Sequence, residues 1–362
     1  MAGVRPAPDY EVAIVGAGPA GAWAVKHLPP DTAALLLDAE DRLAADGQAK
    51  LCGGMLTEQA QRLLPELPLE VRAEPFTTRI EYHDLDNRIF GRMPVGYANC
   101  HRKKLDHWLL ETALAETRAR IEYRPRTRLL DAREEDGQVR LALDGAEATA
   151  RCLLDCSGWR AAGRRAAGAP PAPHLNAVQA ACKLERPYPY YISIFRSAVT
   201  PFFGWFIPKS GEEGAVGAAF PPDVRGSGAE LLAPFLEHLQ VAGLALTPVS
   251  FRGCRLSHPR YSRELWLGAG CVLACGEAAG LVSPSSGDGI SYALASGKAA
   301  AEALRHPPQH LLRAYRQALR PELAELRRNM VKARLLARPG WRRVAAALLL
   351  LTQPAKFRRL SL

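Results

Sequence analysis

The distribution of apolar residues along the chain predicts two different kinds of β-sheet. Some runs are apolar almost throughout and end at an acid or before a glycine, which is typical of parallel strands buried on both faces. These runs cover residues 11–15, 33–37, 151–155 and 271–275. Other stretches alternate between apolar and polar positions, as antiparallel strands do, at 176–185, 189–196, 201–207, 214–220 and 248–256. The chain is therefore predicted to be an α/β protein with a doubly wound sheet and an antiparallel one.

Shorter strands and several helices complete this pattern. We expect two short strands at 79–83 and 88–92 and three more between residues 119 and 144. Helices are expected at 20–28, from Thr57 as an N-cap, from Arg102 to about 115, at 229–242 and up to about 304. Beyond residue 305 the chain is predicted to be helical, with breaks at Pro307, Pro321, Pro339 and Pro354.

The first apolar run leads into a glycine-rich turn with the spacing G-x-G-x-x-G. Gly16 allows a tight turn, Gly18 lets a pyrophosphate approach the backbone, and Gly21 lets the following helix pack closely. The second apolar run ends at Asp38, where a carboxylate accepts hydrogen bonds from an adenosine ribose. A strand, this turn, a helix and an acid in this order indicate a dinucleotide site.

The net charge of the chain and its distribution limit the kinds of molecule that the protein is expected to bind. The chain carries a formal charge of +10, and residues 301–362 hold fourteen Lys or Arg against three Asp or Glu. The first 300 residues are therefore close to neutral, which argues against nucleic-acid binding by the body of the protein. The eight cysteines form no C-x-x-C pair and no metal-ligand cluster with histidine, so we expect reduced thiols in a cytoplasmic protein without a metal. Residues 1–9 do not resemble a signal peptide.

Four motifs together resemble the FAD-dependent oxidoreductases of the para-hydroxybenzoate hydroxylase type, and most closely their geranylgeranyl reductase branch. The first motif is the glycine turn, in which Pro19 and Ala20 belong to the cofactor loop, followed by Asp38. The second, Gly276-Glu277-Ala-Ala-Gly280, is similar to the G-D-A-A-G of that family, in which the acid binds the ribityl chain. The residues after it that would pass along the flavin ring are Pro284, Gly287, Asp288, Gly289 and Ile290.

The third motif, Lys50-x-Cys52-Gly53-Gly54, resembles a loop that borders the flavin in geranylgeranyl reductases. The resemblance implies that Lys50 is a cation beside the reduced ring and that Cys52 donates a proton to the substrate. A structural role for Cys52 in the turn is the alternative.

The fourth motif runs from Phe203 through Trp205 to Pro208, and it resembles motifs of two enzyme classes that catalyse different reactions. It is similar to the Y-x-W-x-F-P of the reductases and to the W-x-W-x-I-P of flavin-dependent halogenases. Both resemblances imply that Trp205 and Phe203 line a substrate site. Arg102 matches an arginine that contacts FAD in the family.

One departure from the family concerns the electron donor. Where the monooxygenases carry a D-G motif linked to NADPH, this chain has Asp155-Cys156-Ser157-Gly158, and it has no second glycine-rich nucleotide unit. The reductant is therefore left open between transiently docked NAD(P)H, a separate flavin reductase and a ferredoxin-like redox partner protein.

The resemblance implies a discontinuous domain arrangement. A Rossmann-like FAD-binding domain is predicted to comprise residues 1–75, 95–165 and 259–305, and a β-sheet substrate domain residues 76–94 and 166–258. Residues 306–362 would form a basic helical segment. Its run Trp341 to Leu351, flanked by arginines and by Lys356, is too short to span a bilayer and predicts either a helix packed on the body or peripheral contact with the inner face of a membrane.

The expected activity is reduction of a carbon–carbon double bond in a hydrophobic, isoprenoid-like substrate. The first alternative is an oxygen-using hydroxylase or halogenase that acts on an aromatic substrate, either free or carrier-bound. The second alternative is an electron-transfer flavoprotein without bond chemistry of its own.

Overall fold

The architecture is that of a computed structural model, which describes residues 7–47, 49–64, 67–135, 137–352 and 357–359. Most of the segment 1–9, as well as Pro354 and Lys356 of the predicted tail, lies outside these residues. The strands are β1 Tyr10–Val15, β2 Ala33–Leu37, β3 Met55–Leu56, β4 Arg72–Asp84, β5 Ile89–Cys100, β6 Arg120–Arg124, β7 Leu129–Glu135, β8 Gln138–Leu143, β9 Ala146–Asp155, β10 His174–Leu184, β11 Tyr190–Phe195, β12 Gly204–Pro208, β13 Glu213–Phe220, β14 Leu246–Ser257, β15 Gly268–Ala269, β16 Val272–Ala274 and β17 Phe357–Arg359.

The helices are α1 Pro19–Lys26, α2 Glu58–Leu63, α3 Arg102–Glu116, α4 Ala162–Ala166, α5 Gly228–Val241, α6 Ile290–Ala303, α7 Pro308–Ala318, α8 Arg320–Leu336 and α9 Pro339–Thr352. Thr57 is the N-cap of α2, as predicted, and its hydroxyl accepts a hydrogen bond from the Ala60 backbone N–H. The three expected helices after residue 305 are present, and prolines lie in the first turn of each.

The first sheet has the strand order β15-β16-β9-β1-β2-β6, with β7 and β8 extending from β9. Strands β16, β9, β1, β2 and β6 are parallel, and the apolar side chains of β1 and β2 are almost completely buried. Burial on both faces explains why these segments are apolar throughout, since α1, α3 and α6 cover the sheet and contribute to one core. The doubly wound prediction is confirmed.

The second sheet has the order β14-β10-β13-β12-β11-β4-β5-β17, with β3 paired to β5. It was predicted to be antiparallel, and one pair departs from this, because β11 runs parallel to β4. Parallel neighbours need a long crossover, and here the chain passes through much of the first sheet between β4 and β11. Strands β4 and β5 are also longer than the short runs expected at 79–83 and 88–92.

The C-terminal part differs from the expectation at its end. After α9 the described residues Phe357–Arg359 form β17, which pairs antiparallel with β5 instead of continuing the helical run. Among the residues that the structure describes, no helix is long and apolar enough to cross a bilayer.

A buried histidine on the second sheet and a half-buried one on α5 join these two elements. His83 on β4 and His238 on α5 approach to 2.8 Å between Nδ1 and Nε2, and the Glu81 carboxylate lies 3.5 Å from the other ring nitrogen of His83. Burial, together with the neighbouring His83 and Arg196, lowers the pKa of His238 to about 4. The imidazole of His238 is therefore neutral in the folded protein at neutral pH.

We predict that His238→Gln makes the stability of the protein less sensitive to acid. An unfolded histidine titrates near pH 6.5, so between this pH and pH 4 the unfolded chain binds more protons and the free energy of unfolding falls as the pH falls. Urea unfolding at about pH 7.5 and about pH 5 measures this fall. The exposed His310→Gln serves as control and should retain the wild-type loss, and an equal loss in both variants would contradict the prediction.

Candidate functional site

A single cavity of about 1180 Å³ connects the glycine turn of the first sheet with the face of the second sheet. Its walls include the turn after β1, the loop before β3, the segment before α6 and the strands β10 to β12. Most of the predicted site residues therefore come together around one space, although they are distributed over 270 positions of sequence. Those that line the cavity are Gly16, Gly18, Pro19, Ala20, Asp38, Lys50, Cys52, Gly53, Gly54, Arg102, Phe203, Trp205, Glu277, Gly287, Asp288, Gly289 and Ile290.

The glycine turn has the geometry of a phosphate cradle. Gly16 has a φ of +102°, and a Cβ there would lie 2.3 Å from the Cys156 carbonyl oxygen, so only glycine fits. Gly18 has an ordinary φ of −72°, and a Cβ on it would meet nothing within 4 Å. The N-terminus of α1 therefore opens directly into the cavity, and its first N–H groups face a space that an anionic group can occupy.

Asp38 lies at the end of β2, as predicted, and is 4 % exposed. Its Oδ2 accepts hydrogen bonds from the Ala17 backbone N–H at 2.7 Å and from Arg42 Nε at 3.0 Å. The carboxylate thus holds the glycine turn in place and also reaches the cavity wall. Arg42 was missed at the sequence level, and its position four residues after the acid is the signal that points to it.

A second carboxylate, Asp106, connects Arg42 with the predicted Arg102. Arg102 Nε donates to Asp106 Oδ1 at 2.6 Å, and Arg42 Nη1 lies 3.6 Å from Asp106 Oδ2. Burial alone would lower the pKa of Arg102, but the carboxylate of Asp106 raises it. The guanidinium therefore stays charged. Asp106 Oδ2 is buried at the cavity wall and has no hydrogen-bond partner among the described residues. An unsatisfied buried acceptor at this point fits a ligand that donates from a hydroxyl.

Lys50 and Glu277, from two predicted motifs, form an ion pair across the cavity. Lys50 Nζ lies 2.6 Å and 2.5 Å from the two carboxylate oxygens of Glu277, and Oε1 also accepts from the Ser257 backbone N–H at 2.9 Å. The charge of Lys50 is therefore balanced by Glu277, whereas the sequence led us to expect a cation directed only at the flavin ring. The pairing fixes the loop before β3 to the turn before α6.

The loop Cys52–Gly54 is held from behind by Lys209, which the sequence analysis missed. The Lys209 ammonium donates to the Gly53 carbonyl at 2.5 Å, to Asn99 Oδ1 at 2.7 Å and to the Cys100 carbonyl at 2.9 Å. Burial lowers its pKa to about 8. The Cys52 sulfur accepts from the Gly54 backbone N–H at 3.4 Å and lies at the cavity wall. A lysine that follows a strand-ending proline resembles an exposed turn residue, so no local signal marks it.

In the segment before α6, the side chain of Asp288 occupies backbone N–H groups at the start of the helix. The backbone N–H of Ile290 donates to Asp288 Oδ1 at 3.1 Å, and Thr57 and Ser291 donate their hydroxyls to Oδ2. Asp288 lies just before Gly289, the N-cap of α6, and its carboxylate accepts from the first turn of the helix, while burial raises its pKa. The Ile290 amide, in the stretch expected to pass along the flavin ring, is already satisfied by this side chain.

Aromatic side chains surround the part of the cavity next to the second sheet. Trp205 Nε1 donates to Gln179 Oε1 at 3.3 Å, and the rings of Phe202 and Phe203 stack with centroids 4.1 Å apart. We call this part the aromatic chamber. Its walls are formed by Ile80, Tyr82, Tyr97, Tyr191, Phe195, Phe202, Phe203, Trp205 and Ile207.

Four predicted cofactor residues do not line the cavity. Gly21, Gly276, Gly280 and Pro284 lie in the backbone behind it, where they shape the turns that carry the lining residues. In the D-x-S-G stretch, Asp155 is fully buried and accepts hydrogen bonds from Ser157 Oγ and the Arg164 backbone N–H. Ser157 itself faces the cavity.

Comparisons with known proteins agree with this arrangement. A search against known protein families finds none that matches the chain. Protein CbrA of Escherichia coli O6:H1 is 29 % identical over 350 residues, which cover 92 % of each chain. A geranylgeranyl bacteriochlorophyll reductase-like protein from Thermoplasma acidophilum superposes with a TM-score of 0.74 at 19 % identity, covering 91 % of this chain and 87 % of that one. The flavin-dependent brominase Bmp2 superposes with a TM-score of 0.67 at 19 % identity, covering 85 % and 83 %.

At these identities the two solved structures show the fold alone. It is the fold predicted from the sequence, and this geranylgeranyl bacteriochlorophyll reductase-like protein and this flavin-dependent brominase share it.

We predict that Lys209→Met loosens the Cys52 loop and destabilises the protein. The substitution removes the donor of three acceptors, of which those on Asn99 and Cys100 belong to buried residues. An unsatisfied buried group costs about 1–3 kcal/mol. We therefore expect a loss of about 2–4 kcal/mol in the free energy of unfolding. Urea unfolding measures it, and hydrogen exchange at the amides of 52–54 reports on the loop. Lys183→Met, an exposed lysine on β10 of the same sheet, is the control, and equal stability of both variants would disprove the role of Lys209.

Proposed function

We propose that this protein binds FAD non-covalently along the cavity, with the pyrophosphate at the N-terminus of α1. The open space at Gly18 and the unsatisfied Asp106 Oδ2 support this placement. In it, Asp38 and Arg42 would hold the adenosine end, and Glu277 would reach the ribityl chain while still paired with Lys50. The flavin ring would then lie next to the Cys52 loop and the segment before α6.

We further propose that the reaction is reduction of a carbon–carbon double bond in a hydrophobic, isoprenoid-like substrate. The observation that carries this proposal is the continuity of the cavity, because the cofactor cradle opens directly into the aromatic chamber. Cys52 lines the same cavity, and a Cβ on the neighbouring Gly53 would lie 2.3 Å from Ile207 of the chamber. The likeness to the geranylgeranyl bacteriochlorophyll reductase-like structure supports the same chemistry.

The residues of the chain have separate tasks in such a reduction. Reduced FAD, when bound, supplies the hydride. The Cys52 thiol donates the proton to the second carbon of the double bond, and Arg102 and Lys209 keep the loop of Cys52 in place. Trp205, fixed by its hydrogen bond to Gln179, orients the substrate chain. The aromatic chamber excludes water and so protects the reduced cofactor from side reactions.

A second candidate is a flavin-dependent halogenase or monooxygenase that acts on an aromatic ring. The hydrogen bond from Trp205 to Gln179 favours it, since this pair presents a flat ring with a polar edge to the chamber, and so does the likeness to Bmp2. For either reaction the electrons come from transiently docked NAD(P)H or from a separate donor protein.

We predict that Gly18→Leu removes FAD binding without unfolding the protein. The backbone at Gly18 suits any residue, but the leucine side chain would fill the cradle in front of α1. Titration with FAD, followed by quenching of its fluorescence, should show at least a 100-fold weaker affinity. Gly340→Leu, where a side chain also meets nothing within 4 Å, is the matched control. Undiminished FAD affinity in Gly18→Leu would rule out this cofactor placement.

The reaction is tested with the FAD-loaded protein, reduced by dithionite in the absence of oxygen and mixed with geranylgeranyl diphosphate. We expect a product heavier by two hydrogens per reduced bond, detected by mass spectrometry. Cys52→Ala should slow its formation about 100-fold, the usual scale of general acid catalysis, and Cys182→Ala, a buried cysteine outside the cavity, should not. A brominated or hydroxylated aromatic product formed only in air, with no reduced isoprenoid, would establish the second candidate instead.

A further inference from the structure

The exposed surface of α8 and α9 combines large apolar side chains with arginines. Val331 and Leu335 on α8 are 48 % and 42 % exposed, and Trp341 and Val344 on α9 are 50 % and 51 % exposed. The members of each pair are three or four residues apart, so each pair lies on one face of its helix. We call these four residues the apolar face. Four exposed large apolar residues within fourteen positions are not explained by packing inside the protein.

The segment that carries the apolar face has charges of one sign only. From Leu326 to the end of the chain there are ten Lys or Arg and no Asp or Glu. Among the described side chains of this segment, the exposed cations surround the apolar face, namely Arg327, Arg328, Lys332, Arg334, Arg338 and Arg343. An amphipathic pair of helices with this composition is complementary to an anionic lipid surface, in which tryptophan favours the headgroup level.

The two helices are firmly attached to the body of the protein. Arg342, the one buried cation among the described residues of α9, is 2 % exposed and donates from Nε to Asp84 at 2.9 Å and from Nη2 to Asp86. Asn87 Nδ2 also donates to the Pro339 carbonyl at 2.9 Å. The apolar face therefore has a fixed orientation relative to the second sheet.

The same two helices form the outer wall of the cavity. Lys332 and Leu336 of α8 and Ala345 and Ala346 of α9 line it, together with Arg342. Leu336 and Ala346 pack in one cluster with Phe202 and Phe203, so a surface bound through Trp341 and Val344 would lie next to the aromatic chamber.

We propose that α8 and α9 dock the protein onto an anionic lipid bilayer and that the substrate enters the chamber from that bilayer, between these helices. The docking is inferred from the exposed surface of α8 and α9 alone, whereas the route of the substrate rests on the proposed reductase function. A bilayer is favoured over an acidic protein partner because the apolar side chains project from among the arginines, as insertion below lipid headgroups requires.

The docking is tested by sedimentation of the FAD-loaded protein with vesicles. We expect binding to vesicles of equal parts phosphatidylglycerol and phosphatidylcholine, and at least tenfold weaker binding to phosphatidylcholine alone. Trp341→Ser/Val344→Ser should weaken binding at least tenfold, and Arg334→Gln/Arg338→Gln/Arg343→Gln about 100-fold. The control Leu69→Ser/Val241→Ser changes two exposed apolar residues on other elements and should bind as the wild type does.

Equal binding to both kinds of vesicle, or unchanged binding by both surface variants, would overturn the docking. Wild-type protein that stays in the supernatant with anionic vesicles but binds an acidic polypeptide such as polyglutamate would also overturn it, in favour of a protein partner.

A second measurement separates this proposal from the proposed function. Trp341→Ser/Val344→Ser should reduce micellar geranylgeranyl diphosphate at the wild-type rate, but a geranylgeranyl lipid embedded in anionic vesicles at least tenfold more slowly. Equal rates for the embedded lipid would refute the entry route. Absence of any reduction by the wild type would refute the reductase function, and the vesicle sedimentation would still decide the docking.

Discussion

The arrangement of the site depends on the ion pair between Lys50 and Glu277. It joins a loop before the second sheet to a turn of the first sheet, and Glu277 also accepts a backbone hydrogen bond from Ser257 at the end of β14. Both side chains are largely withdrawn from water, at 24 % and 11 % exposure, so neither charge is easily left without the other. Three separate segments are therefore held at one point of the cavity, and the cradle and the chamber stay aligned because of it.

Charged side chains that are partly or fully withdrawn from water hold several elements in place. Lys209 holds the Cys52 loop, Arg342 holds α9, and Asp288 holds the first turn of α6. Compared with apolar packing, such groups add little to the free energy of unfolding, but the removal of one partner is costly. They therefore favour one arrangement of these elements over others.

The sequence predicted those features that depend only on residues close to one another along the chain. The glycine turn with Asp38, the helix start at Thr57 and the position of Trp205 on a strand could all be predicted, because each depends on the spacing of a few neighbouring residues. The parallel pairing of β4 with β11 and the return of the chain in β17 could not, since they depend on topology. The balance of Lys50 by Glu277, 227 positions away, and the burial of Lys209 likewise follow only from the tertiary arrangement. The roles assigned to the site residues stay predictions.

The position of α8 and α9 in the cavity wall has a consequence for biosynthesis. A ribosome releases the amino terminus first, so the cradle at Gly18 emerges more than 300 residues before the helices that enclose the far end of the chamber. Until Arg342 reaches Asp84, the nascent chain has an apolar trough open to the surroundings. Enclosure of the chamber thus waits for the synthesis of α8 and α9, and without these two helices the reaction space would stay open to water.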